Sequence, residues 1–134
     1  RVSAVNAAGT GTASATTAAT TASVPDAHTC ISYNGQGSNY LRWGGYVYGG
    51  CASGDADDGG IAITDYIIEV SSDGGVTWLT FEDGITASMQ NPDVMTGRED
   101  GTYLLRVSAV NAVGTGPPIT TGSFEWPGGS YTTQ

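Results

Sequence analysis

Apolar and polar positions alternate with period two along much of this chain. In GTYLLRVSAV, Tyr103, Leu105, Val107 and Ala109 fall on one side and Leu104, Arg106, Ser108 and Val110 on the other. Successive strand side chains point to opposite faces, so this alternation predicts a strand. Asn111 to Gly116 has turn chemistry, Pro117 and Pro118 follow, and Ile119 to Phe124 can return as a strand. Upstream, IAITDYIIEVSSDGGVTWLTF (Ile61 to Phe81) reads as a hairpin. Ile61, Ile63, Tyr66, Ile68 and Val70 supply apolar β-formers, Asp73-Gly74-Gly75 turns tightly, and Val76 to Phe81 returns. Tyr40, Leu41 and Trp43 mark a short core strand, the stretch from Trp43 to Gly60 is loop-like, and Ile85 to Met95 is expected to hold another strand, broken at Asn91-Pro92.

One segment occurs twice. RVSAVNAAGTG (Arg1 to Gly11) and RVSAVNAVGTG (Arg106 to Gly116) match at every position but one, where Ala8 faces Val113. Recurrence at a fixed offset is the mark of a repeat architecture. The first copy therefore reads as the last-but-one strand and turn of a second domain of the same kind. On that reading the chain is a processed product or an excerpt: the tail of one repeat, then a whole one. The expected organisation is a tail, inter-subunit strand or linker over 1–23, a β-sandwich over 24–124 and a C-terminal extension over 125–134. Thr12 to Ser23, TASATTAATTAS, is low-complexity and serves as a final strand or a linker. Residues 1–22 offer only Val2, Val5 and small alanines to a core, and two strands alone are marginal in water. Val2, Ala4 and Val5 are thus the expected assembly residues, covered by a partner: a copy of the chain or an adjacent repeat.

Composition narrows the function classes. Abundant Gly, with Thr, Ser and Ala, suits short strands and many turns. Thirteen acids against four bases, all Arg, give a net charge of −9, which repels phosphate backbones and argues against nucleic acid. The bland meaning of that charge is solubility. With no Lys, the chain can make no Lys–Asn isopeptide bond. No apolar stretch is long enough to span a bilayer, so membrane insertion is not expected. Two cysteines, Cys30 and Cys51, make a poor zinc site and a better disulfide, which implies an oxidising, extracellular or cell-surface location. Two buried, reduced thiols are the alternative.

From about Val24 to Phe124 the chain resembles a fibronectin type III domain of the bacterial and phage sort. Trp43, the DDGG-x-x-I-T-x-Y run at Asp57 to Tyr66, the DGG-x-T-W hairpin at Asp73 to Trp78 and, most specific, Y-x-x-R-V-x-A-x-N-x-x-G-x-G-P at Tyr103 to Pro117 carry the likeness. The resemblance implies an all-β fold, a seven-stranded fibronectin-III/immunoglobulin-like antiparallel sandwich preceded here by an extra hairpin or extended strand segment, and a corner hydrogen bond from Tyr103. Two departures stand out. The loop from the Trp to DDGG is long and holds Cys51, expected to be pinned by Cys30 to the first strand. The family's Leu six residues before the corner Tyr is Gly97, so Met95 or Val94 is expected to plug the core.

Few residues suggest chemistry. Asp55, Asp57 and Asp58 cluster in one loop as calcium ligands do, although DDGG is also ordinary turn chemistry; no other cofactor is implied. SSDGGVTW fits an Asp-box through Ser71, Asp73, Gly75, Thr77 and Trp78, better explained as a stabilised turn than as one blade of a propeller. His28 and Cys30 share a strand face but lack a catalytic setting, and Glu82-Asp83 and Glu99-Asp100 read as solvated turns. Tyr33, Tyr40, Tyr46, Tyr48 and Trp126 form an aromatic excess, of which Tyr46 and Tyr48 are the candidate surface for sugar rings or a protein. Two functions emerge. One is a non-enzymatic structural subunit or repeat of an extracellular filament, pilus-like fibre, adhesin or phage appendage, assembling by β-strand addition. The other is a carbohydrate- or surface-binding accessory module of a secreted protein.

Overall fold

The computed structural model describes residues 1–16, 18–37, 39–47 and 56–133, with the backbone alone at Tyr46. Its strands, in chain order, are β1 (Val5–Asn6), β2 (Gly9–Thr10), β3 (Ile31–Asn34), β4 (Tyr40–Trp43), β5 (Asp65–Ser71), β6 (Leu79–Phe81), β7 (Gln90–Asn91), β8 (Gly101–Val110), β9 (Thr115–Thr120), β10 (Phe124–Trp126) and β11 (Ser130–Thr132). One sheet runs β10-β8-β5-β6, with β9 also on β8; the other runs β11-β3-β4-β7; β1 and β2 form a separate hairpin. Pairing between these strands is antiparallel throughout.

The period-two pattern sets the register. Tyr66, Ile68 and Val70 of β5 stand opposite Ala109, Val107 and Leu105 of β8, and all six are buried. Ile31, Tyr33, Leu41 and Trp43 of the second sheet join the same core. Trp43 meets Tyr66 edge-on at 5.2 Å between ring centroids, and Tyr33 stacks on Phe124 at 4.5 Å. Burial pushes the Tyr33 phenol up to about 12, because the ionised form would lose its hydration. The two faces of apolar side chains make an immunoglobulin/fibronectin-III-like antiparallel β-sandwich.

The corner forms as the resemblance implies. Tyr103 Oη donates to the Glu99 carbonyl, four residues upstream, at 2.8 Å. Before it, Thr96 N–H donates to Asp93 O and Arg98 N–H to Met95 O. These tight turns drive both Val94 and Met95 fully into the core.

Three expectations need correction. Residues 85–95 supply only the two-residue β7. Asn91 Oδ1 accepts from Asp93 and Val94 N–H, and Pro92 has no N–H to continue a ladder. Asn91 Nδ2 also reaches Asp83, whose carboxyl burial pushes up. The returning strand of the Ile61–Phe81 hairpin starts at Leu79, because Asp73–Trp78 is spent on the turn.

Lastly, 125–134 is not an appendage. Glu125 and Trp126 continue the pairing of β10 with Thr102 and Gly101, Gly129 N–H turns the chain back onto Glu125 O, and Ser130–Thr132 pair with Asn34–Ser32 of the opposite sheet. Trp126 and Tyr131 of the strap pack against the core, but Pro127-Gly128-Gly129 separates them, so no period-two alternation announces it.

Candidate functional site

The amino-terminal hairpin repeats the geometry of its later copy. In the intact copy Val110 pairs with Thr115, Asn111 N–H donates to Gly114 O, and Val113 N–H donates to Asn111 Oδ1 at 2.9 Å. At the start of the chain Val5 pairs with Thr10, Asn6 faces Gly9, and Ala8 N–H donates to Asn6 Oδ1 at 2.9 Å. Further out, Ser14 N–H donates to Val2 O, in the place where Ile119 pairs with Val107. Ten matching residues of eleven thus adopt one turn in two settings.

The settings differ in what covers them. Val107 is 1% exposed and its counterpart Val2 75%. Ala109 and Asn111 are buried, Ala4 and Asn6 exposed. A Cβ on Gly116 would lie 2.0 Å from Pro25 O, and one on Gly114 3.4 Å from a Val24 methyl. At Gly11 the nearest neighbour is the hairpin's own Ala4 O at 3.5 Å, and at Gly9 nothing lies within 4 Å. In the intact copy the segment Val24–Pro25 runs across the turn glycines. In the first copy Ala4, Asn6, Gly9 and Gly11 instead line an open cleft of about 310 Å³.

Asn111 is the residue that sequence reading passes over as turn chemistry. Its Nδ2 donates to Ser23 O at 2.7 Å and Asp58 O at 2.8 Å, while Oδ1 accepts from Val113 and Gly114 N–H. One buried amide therefore joins three separate pieces of chain: the segment leading to β3, the DDGG turn and the β8–β9 loop. The available signal was its occurrence in both copies, at Asn6 and Asn111.

The other candidates are placed as follows. Asp57 Oδ1 and Asp58 Oδ1 each accept from a turn N–H, of Gly59 and Gly60, at 2.8 Å. Asp55 lies outside the described residues, as do Tyr48 and the side chain of Tyr46. Among the described residues no three His, Cys, Asp or Glu side chains are grouped to hold a metal ion. His28 is buried, accepts at Nδ1 from Ala56 N–H and packs on Tyr66. Tyr33 is core, and Tyr40 lies beneath the Arg42 guanidinium at 4.7 Å. Cys30 is buried beside β3 and no cysteine among the described residues is a free thiol. Its expected partner Cys51 lies outside them.

The Asp-box residues build a turn. Ser71 Oγ donates to Asp73 Oδ1 and accepts from Gly75 N–H, Thr77 donates to Asp73 through both its N–H and its hydroxyl, and Trp78 Nε1 donates to Gly75 O. The Trp78 ring then supports the Arg106 guanidinium at 4.3 Å, and Arg106 also pairs with Glu69. The hydroxyl and N–H of Thr77, with Ser71, hold the Asp73 carboxyl down at about 2, against an ordinary 3.8. The stabilisation from this turn is therefore full above about pH 4 and lost as pH falls through about 2. A carboxyl-carbon NMR titration should place the Asp73 midpoint near 2; a midpoint near 4 would mean the Thr77 bonds do not form in solution.

No family model matches the chain. Among solved structures it is similar to a crystal structure of domains A168-A170 from titin, at 22% identity and a TM-score of 0.48, over 78% of this chain and 32% of that one. The chain thus spans about a third of that structure's length. The fold assignment rests on the strand order and register described above. Those define a β-sandwich module that carries, ahead of itself, a second copy of its β8–β9 turn.

Proposed function

We propose that this chain is a non-enzymatic structural module of an extracellular assembly of the bacterial or phage type, such as a filament, pilus-like fibre, adhesin or phage appendage. Its neighbours join through residues 1–22 by β-strand addition. The supporting observation is the hairpin of Val5–Asn6 and Gly9–Thr10, already folded in the register of an inner hairpin while Val2 and Val5 remain exposed. A preformed strand pair loses less conformational entropy on docking than a disordered tail, and each added main-chain bond contributes roughly 1 kcal/mol net. Contacts repeated head to tail give an open fibre unless the rotation closes.

Imaging the purified chain at neutral pH by electron microscopy, with and without residues 1–22, tests this. Filaments from the full chain that vanish on deletion support it. Filaments unchanged by the deletion, or a chain that stays monomeric and binds glycans, contradict it. A disulfide between Cys30 and Cys51 belongs to the same extracellular reading. It would close a loop that stabilises the fold by about 3 kcal/mol. The intact mass without reductant should then be two hydrogens lighter than the reduced chain, and quantitative alkylation of the native protein would exclude the bond.

A further inference from the structure

We propose that the amino-terminal hairpin is a plug for one kind of socket: a β-sandwich of this same type that lacks its own counterpart of Arg106–Thr120, with Val2 as the core residue and Asn6 as the polar clamp. The partner is an adjacent repeat equivalent to residues 23–105. This deepens the reading above, in which residues 1–22 join neighbours, by naming what receives them.

The molecule carries its own template for the bound state. Around Asn111 the receiving groups are the Ser23 carbonyl, from the segment that leads into β3, and the Asp58 carbonyl in the DDGG turn. Around Gly116 and Gly114 they are Pro25 O and the Val24 side chain. Asn6, Gly11 and Gly9 hold the same positions with those partners missing, and Asn6 Oδ1 already closes the same turn. A socket must therefore present two carbonyls to one carboxamide, with an extended Ser-Val-Pro-like segment crossing the turn. An added strand on a plain sheet edge supplies neither.

A second pair of positions extends the fit. Thr121 N–H donates to Leu105 O, and Thr121 Oγ1 accepts from Leu105 N–H, at 2.8 and 2.9 Å. Leu105 immediately precedes Arg106, and Thr16 stands at the place of Thr121. In the socket, Thr16 brackets the partner's counterpart of Leu105. The match weakens beyond the turn: Ser14 replaces Ile119, Ala19 replaces Phe124 and Thr21 replaces Trp126, all three of which pack in or against the core in the intact copy. The plug thus buries less apolar surface than its counterpart and depends more on Val2 and Asn6.

The test extends the full chain by placing a copy of residues 23–105 ahead of it, so that Leu105 is joined to Arg1 as it is to Arg106. Hydrogen exchange is read residue by residue. Val2 and Ala4 amides should slow at least 100-fold relative to the unextended chain. In the fusion, Asn6→Ala should speed exchange across the upstream unit only, and Asn111→Ala across the downstream unit only. A fusion carrying Ser14→Ile and Ala19→Phe, which restores the apolar contacts of Ile119 and Phe124, guards against a socket that folds weakly. Val2 and Ala4 amides that stay as fast as in the unextended chain, in both fusions, overturn the proposal. The experiment needs no filament, so its outcome is read apart from that of the functional reading, which the imaging of the unextended and the deleted chain decides.

Discussion

Asn111→Ala will cost the sandwich about 3 kcal/mol, seen as a lower denaturant midpoint with an unchanged slope. Asn111 is buried, and its Nδ2 serves Ser23 O and Asp58 O. Truncation leaves both carbonyls without a donor where the chain is packed too closely for easy repair: a Cβ on Gly59 would already lie 2.2 Å from Ser23 O. Ser23 and Asp58 are exposed residues, so the cost falls chiefly on the buried Asn111 side chain itself: its lost packing and the lost bonds that tie three segments together, roughly 1–3 kcal/mol. The Oδ1 bonds to Val113 and Gly114 N–H are lost as well, but Val113 is exposed and water can replace them. Asn111→Asp separates the two roles, since it keeps the acceptor and turns a carboxylate toward two carbonyls, so most of the loss should persist. Asn6→Ala is the control. Asn6 is exposed and closes only its own turn, so in the isolated chain the substitution should fall within about 0.5 kcal/mol of neutral. Equal losses at Asn6 and Asn111 would refute the clamp.

Trp43→Ala should be the most damaging single substitution, at about 4 kcal/mol. Trp43 is 1% exposed, pairs across the ladder with Ile31 and packs edge-on against Tyr66 of the opposite sheet. Its removal leaves a hole between the two sheets that flanking β-strands, held by ladder bonds, cannot collapse to fill. A chain that keeps its unfolding midpoint within 1 kcal/mol would show that Trp43 does not bridge the sheets.

How much of this was legible depends on whether a feature repeats locally. β8, β5 and β4 were readable because period two puts Tyr66, Ile68, Val70, Leu105 and Val107 on one face. The corner at Tyr103 followed from the motif that contains it, and burial of Val94 and Met95 from the absence of the usual Leu. The strap from Phe124 to Thr132 was not readable. Its backbone bonds come from β8 and β3, far away in sequence, and its core-facing Phe124, Trp126 and Tyr131 are interrupted by Pro127-Gly128-Gly129, which reads as the end of the domain. The shrinkage of the Ile85–Met95 strand to Gln90–Asn91 has a local cause, the Asx turn at Asn91, which competes with the ladder. At the candidate site, Val2 and Ala4 were legible through the repeat, because their counterparts Val107 and Ala109 fall on the core face. Asn6 was not: its significance lies in what Asn111 donates to, and Ser23 and Asp58 are 88 and 53 residues from it.

The central claim, that residues 1–22 are the joining element, is tested most directly by hydrogen exchange on assembled and dispersed chain at neutral pH. The account predicts fast exchange at Val2, Ser3 and Ala4 in the dispersed chain and strong protection of the same amides after assembly. Fast exchange throughout Arg1 to Gly11 in assembled material would contradict it.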